Sequence, residues 1–347
     1  MSPQLAATLE QALQSHRAGR LDEAERLYRA ILKTEPRHAD SLHLLGVSLR
    51  QKGSNGLAVE MIRKAIALDS NVAAYHINLG NALIDLGQDE EAIEAYGDAV
   101  RLAPDFAEAH FNLGNVLAKT GQVEAAIASF TQTVRLRPDF AEAHTNLGVA
   151  LSRASRHDEA VAAYCTAIRI APDFAEARFN LGVALHEIGY LDQAAQSFQA
   201  AIQLRPYHAE THINLGNSLS ESGQYDRAVA SFEAAIRRDR QSAEAYSGLA
   251  VAQLARGKVS EAIEACRSAI RLRPDYAEAY NNLGNALKDQ GRFGEAAEAF
   301  NAAIEANPDH ASAYSNLLLC QHYRSDLTPE EISAEIRRFT ARFGQAA

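Results

Sequence analysis

Along residues 107–140, AEAHFNLGNVLAKTGQVEAAIASFTQTVRLRPDF, small and apolar positions recur with helical rather than strand spacing. Ala109, Leu113, Val116, Leu117 and Thr120 fall on one side of a 3.6-residue period, and Ala126, Ile127, Phe130 and Val134 do the same in the following run. Gly121 lies between the runs, where a helix commonly ends in a left-handed residue that glycine adopts without strain. Pro138 closes the second run, and Asp139 followed by Glu142 predicts a capping box that opens the next helix. Gly114 and Ala126 are small residues inside the predicted helices, and a mid-helix glycine costs about 1 kcal/mol, so the pattern predicts close helix contact there.

The same 34-residue sentence is written along the whole chain. Asn112-Leu113-Gly114 returns as Asn78-Leu79-Gly80, Asn146-Leu147-Gly148, Asn180-Leu181-Gly182, Asn214-Leu215-Gly216 and Asn282-Leu283-Gly284. Turn glycines, small residues at the position of Ala126 and prolines at the position of Pro138 keep the same phase. A period of 34 with this small-residue pattern resembles the tetratricopeptide repeat, which implies an all-α, right-handed superhelix of helix-turn-helix units. Nine repeats are expected over 5–310, starting at residues 5, 39, 73, 107, 141, 175, 209, 243 and 277. Residues 311–325 read as the first helix of a degenerate tenth, and 326–347 as a capping or linker helix. Length alone, 347 residues, suggests two globular domains, but a repeat array has no single core to saturate.

The repeats are not equally regular. Ala12 stands where later units have glycine, Ser70 replaces a closing proline, and Leu44 stands where the asparagine is expected. The unit from Ala243 departs most: Gly248 replaces asparagine, Ala250 replaces glycine, Cys266 replaces the aromatic, and Arg240 replaces the proline before it. A local irregularity of the superhelix is expected there. In the tail, Thr328, Pro329 and Glu331 predict a helix start, and Ile332, Ile336, Phe339 and Phe343 make an apolar stripe that must bury itself, for instance by self-association.

The net charge of −10 argues against a phosphate-backbone partner, so no nucleic acid is expected. No apolar run reaches the ~18 residues of a membrane span and the N-terminus lacks a signal-peptide pattern, so a soluble, cytoplasmic protein is expected. Cys165, Cys266 and Cys320 are odd in number and far apart, and they read as buried thiols rather than metal or redox groups. His76, His110, His144 and His212 step with the repeat, but stacked helices separate equivalent atoms by about 10 Å, too far for one metal. No P-loop, GxSxG, HExxH or paired-cysteine motif is present, and neither catalysis nor a cofactor is predicted.

On a helical wheel Glu108, Asn112, Asn115 and Lys119 form a polar row beside the packing face. Stacking turns that row into a ladder: Asn78, Asn112, Asn146, Asn180, Asn214, Asn282 and Asn316, with Asn81, Asn115, Asn217 and Asn285 as partial companions. A carboxamide both donates and accepts, so such a ladder suits the backbone of an extended peptide of any sequence. The alternative is that it ties neighbouring helices together. Ile77, Phe111, Phe179 and Ile213 lie next to it, either as groove pockets or as packing against the next repeat. The row Glu108, Glu142, Glu176, Glu210, Glu244 and Glu278 either caps helices or makes the groove acidic and fit for basic ligands.

The tail AYSNLLLCQHYRSDLTPEEISAEIRRFTARFG, with the AEAHFNLGN style of repeat, resembles bacterial members of the O-GlcNAc transferase (SPINDLY-type) family. That resemblance implies an asparagine ladder that holds extended protein substrates for a UDP-sugar-dependent glycosyltransferase. Only the ladder carries over, broken at Leu44 and Gly248, and the chain alone is expected to be inactive. The expected function is thus a protein-interaction scaffold, or else the substrate-recruiting arm of such a transferase.

Overall fold

The computed structural model describes residues 3–323 and, beyond them, Thr328, Glu330, Ser333 and Arg337. The helix expected over 326–347 and its stripe of Ile332, Ile336, Phe339 and Phe343 lie outside the described residues. Among the described residues there are nineteen α-helices and no strand. They fall into two compact units, Met1–Pro172 and Asp173–Ala347.

The first unit holds five helical hairpins. They are α1 (Pro3–Arg17) with α2 (Leu21–Thr34), α3 (Ala39–Gln51) with α4 (Asn55–Leu68), and α5 (Ala73–Ile84) with α6 (Asp89–Leu102). The last two are α7 (Ala107–Lys119) with α8 (Val123–Leu136), and α9 (Ala141–Arg153) with α10 (His157–Ile170). The second unit holds four hairpins and a single helix. The hairpins are α11 (Ala175–Glu187) with α12 (Leu191–Leu204), α13 (Ala209–Glu221) with α14 (Tyr225–Arg238), α15 (Ala243–Ala255) with α16 (Val259–Leu272), and α17 (Ala277–Asp289) with α18 (Phe293–Ala306). The single helix is α19 (Ala311–His322). Within each unit the second helix of a hairpin packs on the first helix of the next, and successive first helices such as α13, α15 and α17 also touch. One face of each unit is therefore built from first helices alone.

Two kinds of glycine set this geometry. Gly121 has φ +80° and ends the turn after α7, the left-handed position the spacing predicts. Ser155 occupies the equivalent place in the next hairpin with φ 59°, the one non-glycine residue with positive φ among those described. Gly114 serves a different purpose: a Cβ there would lie 2.7 Å from the Phe130 ring, so only glycine lets α7 and α8 approach this closely. The pairs Gly80–Tyr96, Gly148–Tyr164, Gly182–Phe198, Gly216–Phe232 and Gly284–Phe300 repeat that contact. In the irregular unit both partners change together, to Ala250 and Cys266, which share a buried cluster with Ala265. Its helices keep the lengths of their neighbours, so the expected irregularity does not interrupt the hairpin.

The capping box is not formed. Phe140, not Asp139, is the N-cap of α9, and no side chain caps that helix; Phe106, Phe174 and Tyr276 do the same at α7, α11 and α17. The aromatic is held by packing, since the Phe140 ring lies 4.7 Å from Phe111 and beneath the Arg137 guanidinium at 4.4 Å. Where proline is replaced by Ser70 or Arg240, the preceding aspartate keeps the turn: Asp69 Oδ1 accepts from the Asn71 N–H at 3.0 Å, and Asp239 Oδ1 from the Gln241 N–H at 2.8 Å.

Candidate functional site

Every asparagine of the ladder is half-buried, neither sealed between hairpins nor fully exposed. In Asn78, Asn112, Asn146, Asn282 and Asn316 the amide nitrogen reaches back to the first helix of the preceding hairpin. In the first unit Asn78 Nδ2 donates to His43 Nε2 at 2.8 Å and to the Ala74 carbonyl at 3.0 Å. Asn146 Nδ2 donates to Asn115 Oδ1 at 2.9 Å, and Asn112 Nδ2 reaches Asn81 Oδ1 at 3.5 Å, an oxygen that also accepts from the Tyr96 hydroxyl at 2.6 Å. In the second unit Asn282 Nδ2 donates to Ser247 Oγ at 3.2 Å and Asn316 Nδ2 to Asn281 Oδ1 at 3.1 Å. The two companions Asn81 and Asn115 thus act as acceptors for the next rung, and Asn285 Oδ1 accepts from Lys288 Nζ at 3.3 Å.

These bonds give the carboxamide two separate jobs. Nδ2 staples consecutive hairpins, while Oδ1 of Asn78, Asn112, Asn146, Asn282 and Asn316 takes no part in the staple. His43 fits its role as acceptor, because burial lowers its pKa to about 4 and leaves the ring neutral at ordinary pH.

The second unit concentrates the ladder around a groove of about 660 Å³. Asn214, Asn217 and Asn282 line it, and Asn180 lines a neighbouring cavity of about 240 Å³ with Glu176 and Phe179. Gly248, the missing rung, leaves a gap in the larger groove that is floored by the Phe232 ring and Ser247. Ile213, Val251 and Tyr276 give apolar wall, and Glu210, Glu221, Glu244 and Glu278 give carboxylates.

Released from capping, the glutamates are exposed. Glu244 is paired with the Arg273 guanidinium; burial pushes its carboxyl up, but that pairing outweighs burial and the pKa is lowered. Glu221 lies 3.2 Å from His186 Nε2, and Glu210 lies 3.7 Å from His208 Nε2. Burial chiefly raises the Tyr276 phenol, helped by the nearby Glu278 charge, so it stays protonated.

Beside the ladder, Phe179 packs edge-on against His208 at 5.6 Å while still lining a cavity, and Phe111 packs at a tilt against Phe140. Ile77, Thr145 and Ser247 are buried. The histidine row ties helices to loops: His76, His110, His144 and His212 each bond through Nε2 to the carbonyl of Ser70, Pro104, Pro138 and Pro206, at 2.9–3.3 Å. Cys266 and Cys320 are buried, and burial raises the Cys266 thiol to about 12, but Cys165 is exposed, contrary to expectation. Its neighbours Ala163, Tyr164 and Ala167 occupy the inward phase of α10, which turns residue 165 outward. No helix among the described residues is long and apolar enough to cross a membrane.

Sequence reasoning singled out the Glu row and Gly248 but missed Glu221, Val251 and Tyr276 as groove residues. Tyr276 carried a signal, since it occupies the N-cap place of Phe106, Phe140 and Phe174. Val251 recurs at the repeat step with Val149 and Val183, and Glu221 with Glu187, but neither type runs through the whole array, so neither marked the groove.

Models of the tetratricopeptide repeat match residues 117–173, 153–209 and 213–277, and again 253–319; a TPR-repeat model matches 80–121. Together they span more than half of the chain. A model of anaphase-promoting complex, cyclosome, subunit 3 matches 17–99. No curated protein matches the chain significantly. Among solved structures, the chain is similar to YrrB, described as a TPR protein with an unusual peptide-binding site, at 26% identity and TM-score 0.50 over 54% of this chain and 96% of that one. It is also similar to MamA (28% identity, TM-score 0.45, 48% and 96%) and to the APC/C hetero-tetramer Cut9-Hcn1 (18% identity, TM-score 0.52, 86% and 59%).

Proposed function

Since the chain belongs to the tetratricopeptide-repeat family, we propose that it is a non-catalytic scaffold that holds extended segments of partner proteins against the asparagine-bearing face of its first helices. The carrying observation is the division of labour in the carboxamides of Asn78, Asn112, Asn146, Asn282 and Asn316: Nδ2 is spent on the neighbouring hairpin, so Oδ1 is held in place as an acceptor at a half-open surface. An extended backbone presents N–H donors to such a surface without regard to side-chain identity. YrrB, similar over about half of this chain, is itself described as having a peptide-binding site.

The test is fluorescence anisotropy with a labelled random nonapeptide mixture, acetylated and amidated, against the wild type and Asn214→Ala/Asn282→Ala. Each hydrogen bond contributes about 0.5–1.5 kcal/mol, so losing two weakens binding roughly 5- to 150-fold. Unchanged affinity, with helicity retained, rejects the ladder as the binding element.

A narrower role as the recruiting arm of an O-GlcNAc transferase-like enzyme is supported by the resemblance of the repeats and of residues 313–344 to that family. Sequencing the DNA beyond the last codon decides it: an open frame encoding a glycosyltransferase region supports the role, and a stop codon removes it.

A further inference from the structure

The groove of about 660 Å³ in the second unit lies where the repeat pattern is weakest. At Gly248 the ladder lacks a rung, and the Phe232 ring lies directly against the backbone there: a Cβ on Gly248 would stand 2.3 Å from Phe232 Cε1. Between Asn214 and Asn282 the face of first helices therefore has a recess instead of an amide. Val251, 43% exposed, and Ile213 offer this recess an apolar wall, and Tyr276 offers an aromatic one.

The charge of the lining is one-sided. Glu210, Glu221, Glu244 and Glu278 line the groove, and no lysine, arginine or histidine does. Only Glu244 has its charge met by a permanent cation, Arg273. The partners of Glu210 and Glu221 are histidines, which neutralise a carboxylate only when protonated.

A recess with apolar walls and a carboxylate rim matches a side chain with a hydrocarbon stem and a cationic head. Resting on the scaffold function proposed above, we infer that the occupant of this groove is an extended protein segment bearing arginine or lysine, whose basic side chain enters the gap left at Gly248. The backbone on either side meets Asn214 and Asn282, while the head meets the carboxylates. The ladder supplies sequence-independent grip, and the gap supplies selection for a basic residue.

The test uses random nonapeptide mixtures, acetylated, amidated and fluorescent, with arginine, lysine, citrulline or glutamate fixed at the centre. Citrulline keeps the shape of arginine and removes its charge. The wild type binds the arginine and lysine mixtures about tenfold or more tightly than the citrulline mixture, and the difference shrinks as salt rises. In Glu210→Gln/Glu278→Gln, two exposed positions whose change leaves the core untouched, the preference disappears. Gly248→Asn fills the gap and removes it too; if that variant misfolds against Phe232, the glutamine variant alone decides. Equal binding of the arginine and citrulline mixtures, or an undiminished preference in the glutamine variant, overturns the inference and leaves the scaffold proposal standing. Failure of the wild type to bind any mixture overturns both.

Discussion

In six hairpins a glycine of the first helix faces an aromatic ring of the second, and in one hairpin Ala250 faces Cys266 instead. If the two sites share one space, changing both should cost less than the sum of changing each. Cys266→Phe alone drives a ring toward the Ala250 methyl. In the glycine hairpins an added Cβ would lie 2.5–2.8 Å from the ring, about 1 Å inside normal contact. Overpacking of this kind costs about 1–3 kcal/mol. Ala250→Gly alone loses a buried methyl, about 0.8 kcal/mol, and helix propensity, about 1 kcal/mol. In the double variant the ring occupies the vacated methyl space, the overlap disappears and the apolar burial is restored, leaving chiefly the propensity loss. The expected coupling is about 2–4 kcal/mol in favour of the double variant. The assay is native-state hydrogen exchange of amides in α15 and α16 along a urea series, because stacked repeats open locally rather than in one step. Additivity to within about 0.5 kcal/mol would refute the shared-space account of the repeat.

Ser155→Gly should stabilise its hairpin by about 0.5–1 kcal/mol, since removing a left-handed penalty of about 1–2 kcal/mol outweighs the added chain entropy of glycine; exchange rates at the α9–α10 turn report it, and faster exchange would contradict it. His43 predicts an acid-sensitive first unit. Its folded pKa, about 4 because of burial, lies below the unfolded value of about 6.5, so its contribution is complete above pH 6.5 and is lost as pH falls towards 4, up to about 3 kcal/mol. Urea midpoints measured over that window should flatten in His43→Gln; an unchanged slope assigns the pH dependence to other groups.

The repeat itself was legible because its signals are local. Gly121 ends a helix, Pro138 stops one, and Ala109, Leu113 and Leu117 mark a face. Helix starts were harder: Asp139-x-x-Glu142 satisfies a capping pattern, yet the Phe140 ring wins the N-cap place through contacts with Phe111 and Arg137 that no local pattern encodes. Cys165 looked buried among apolar neighbours, and only the phase of α10 shows that it faces out. The groove was least legible, since Glu210, Glu221, Gly248, Val251 and Tyr276 belong to three different hairpins and meet only through stacking. Gly248 and Ala250 looked like decay of the motif, whereas in the structure the first opens a recess and the second is matched by its smaller partner.

The commitment of Nδ2 to the hairpin behind it, in Asn78, Asn112, Asn146, Asn282 and Asn316, bears on the grammar of any bound chain. An oxygen-only row can be answered by a peptide N–H but not by a carbonyl, and proline has no N–H to offer. Segments with prolines in register with Asn282 or Asn316 would leave those oxygens unanswered. A chain that accepts almost any residue would then still discriminate, by the imino acid it refuses rather than by the side chains it favours.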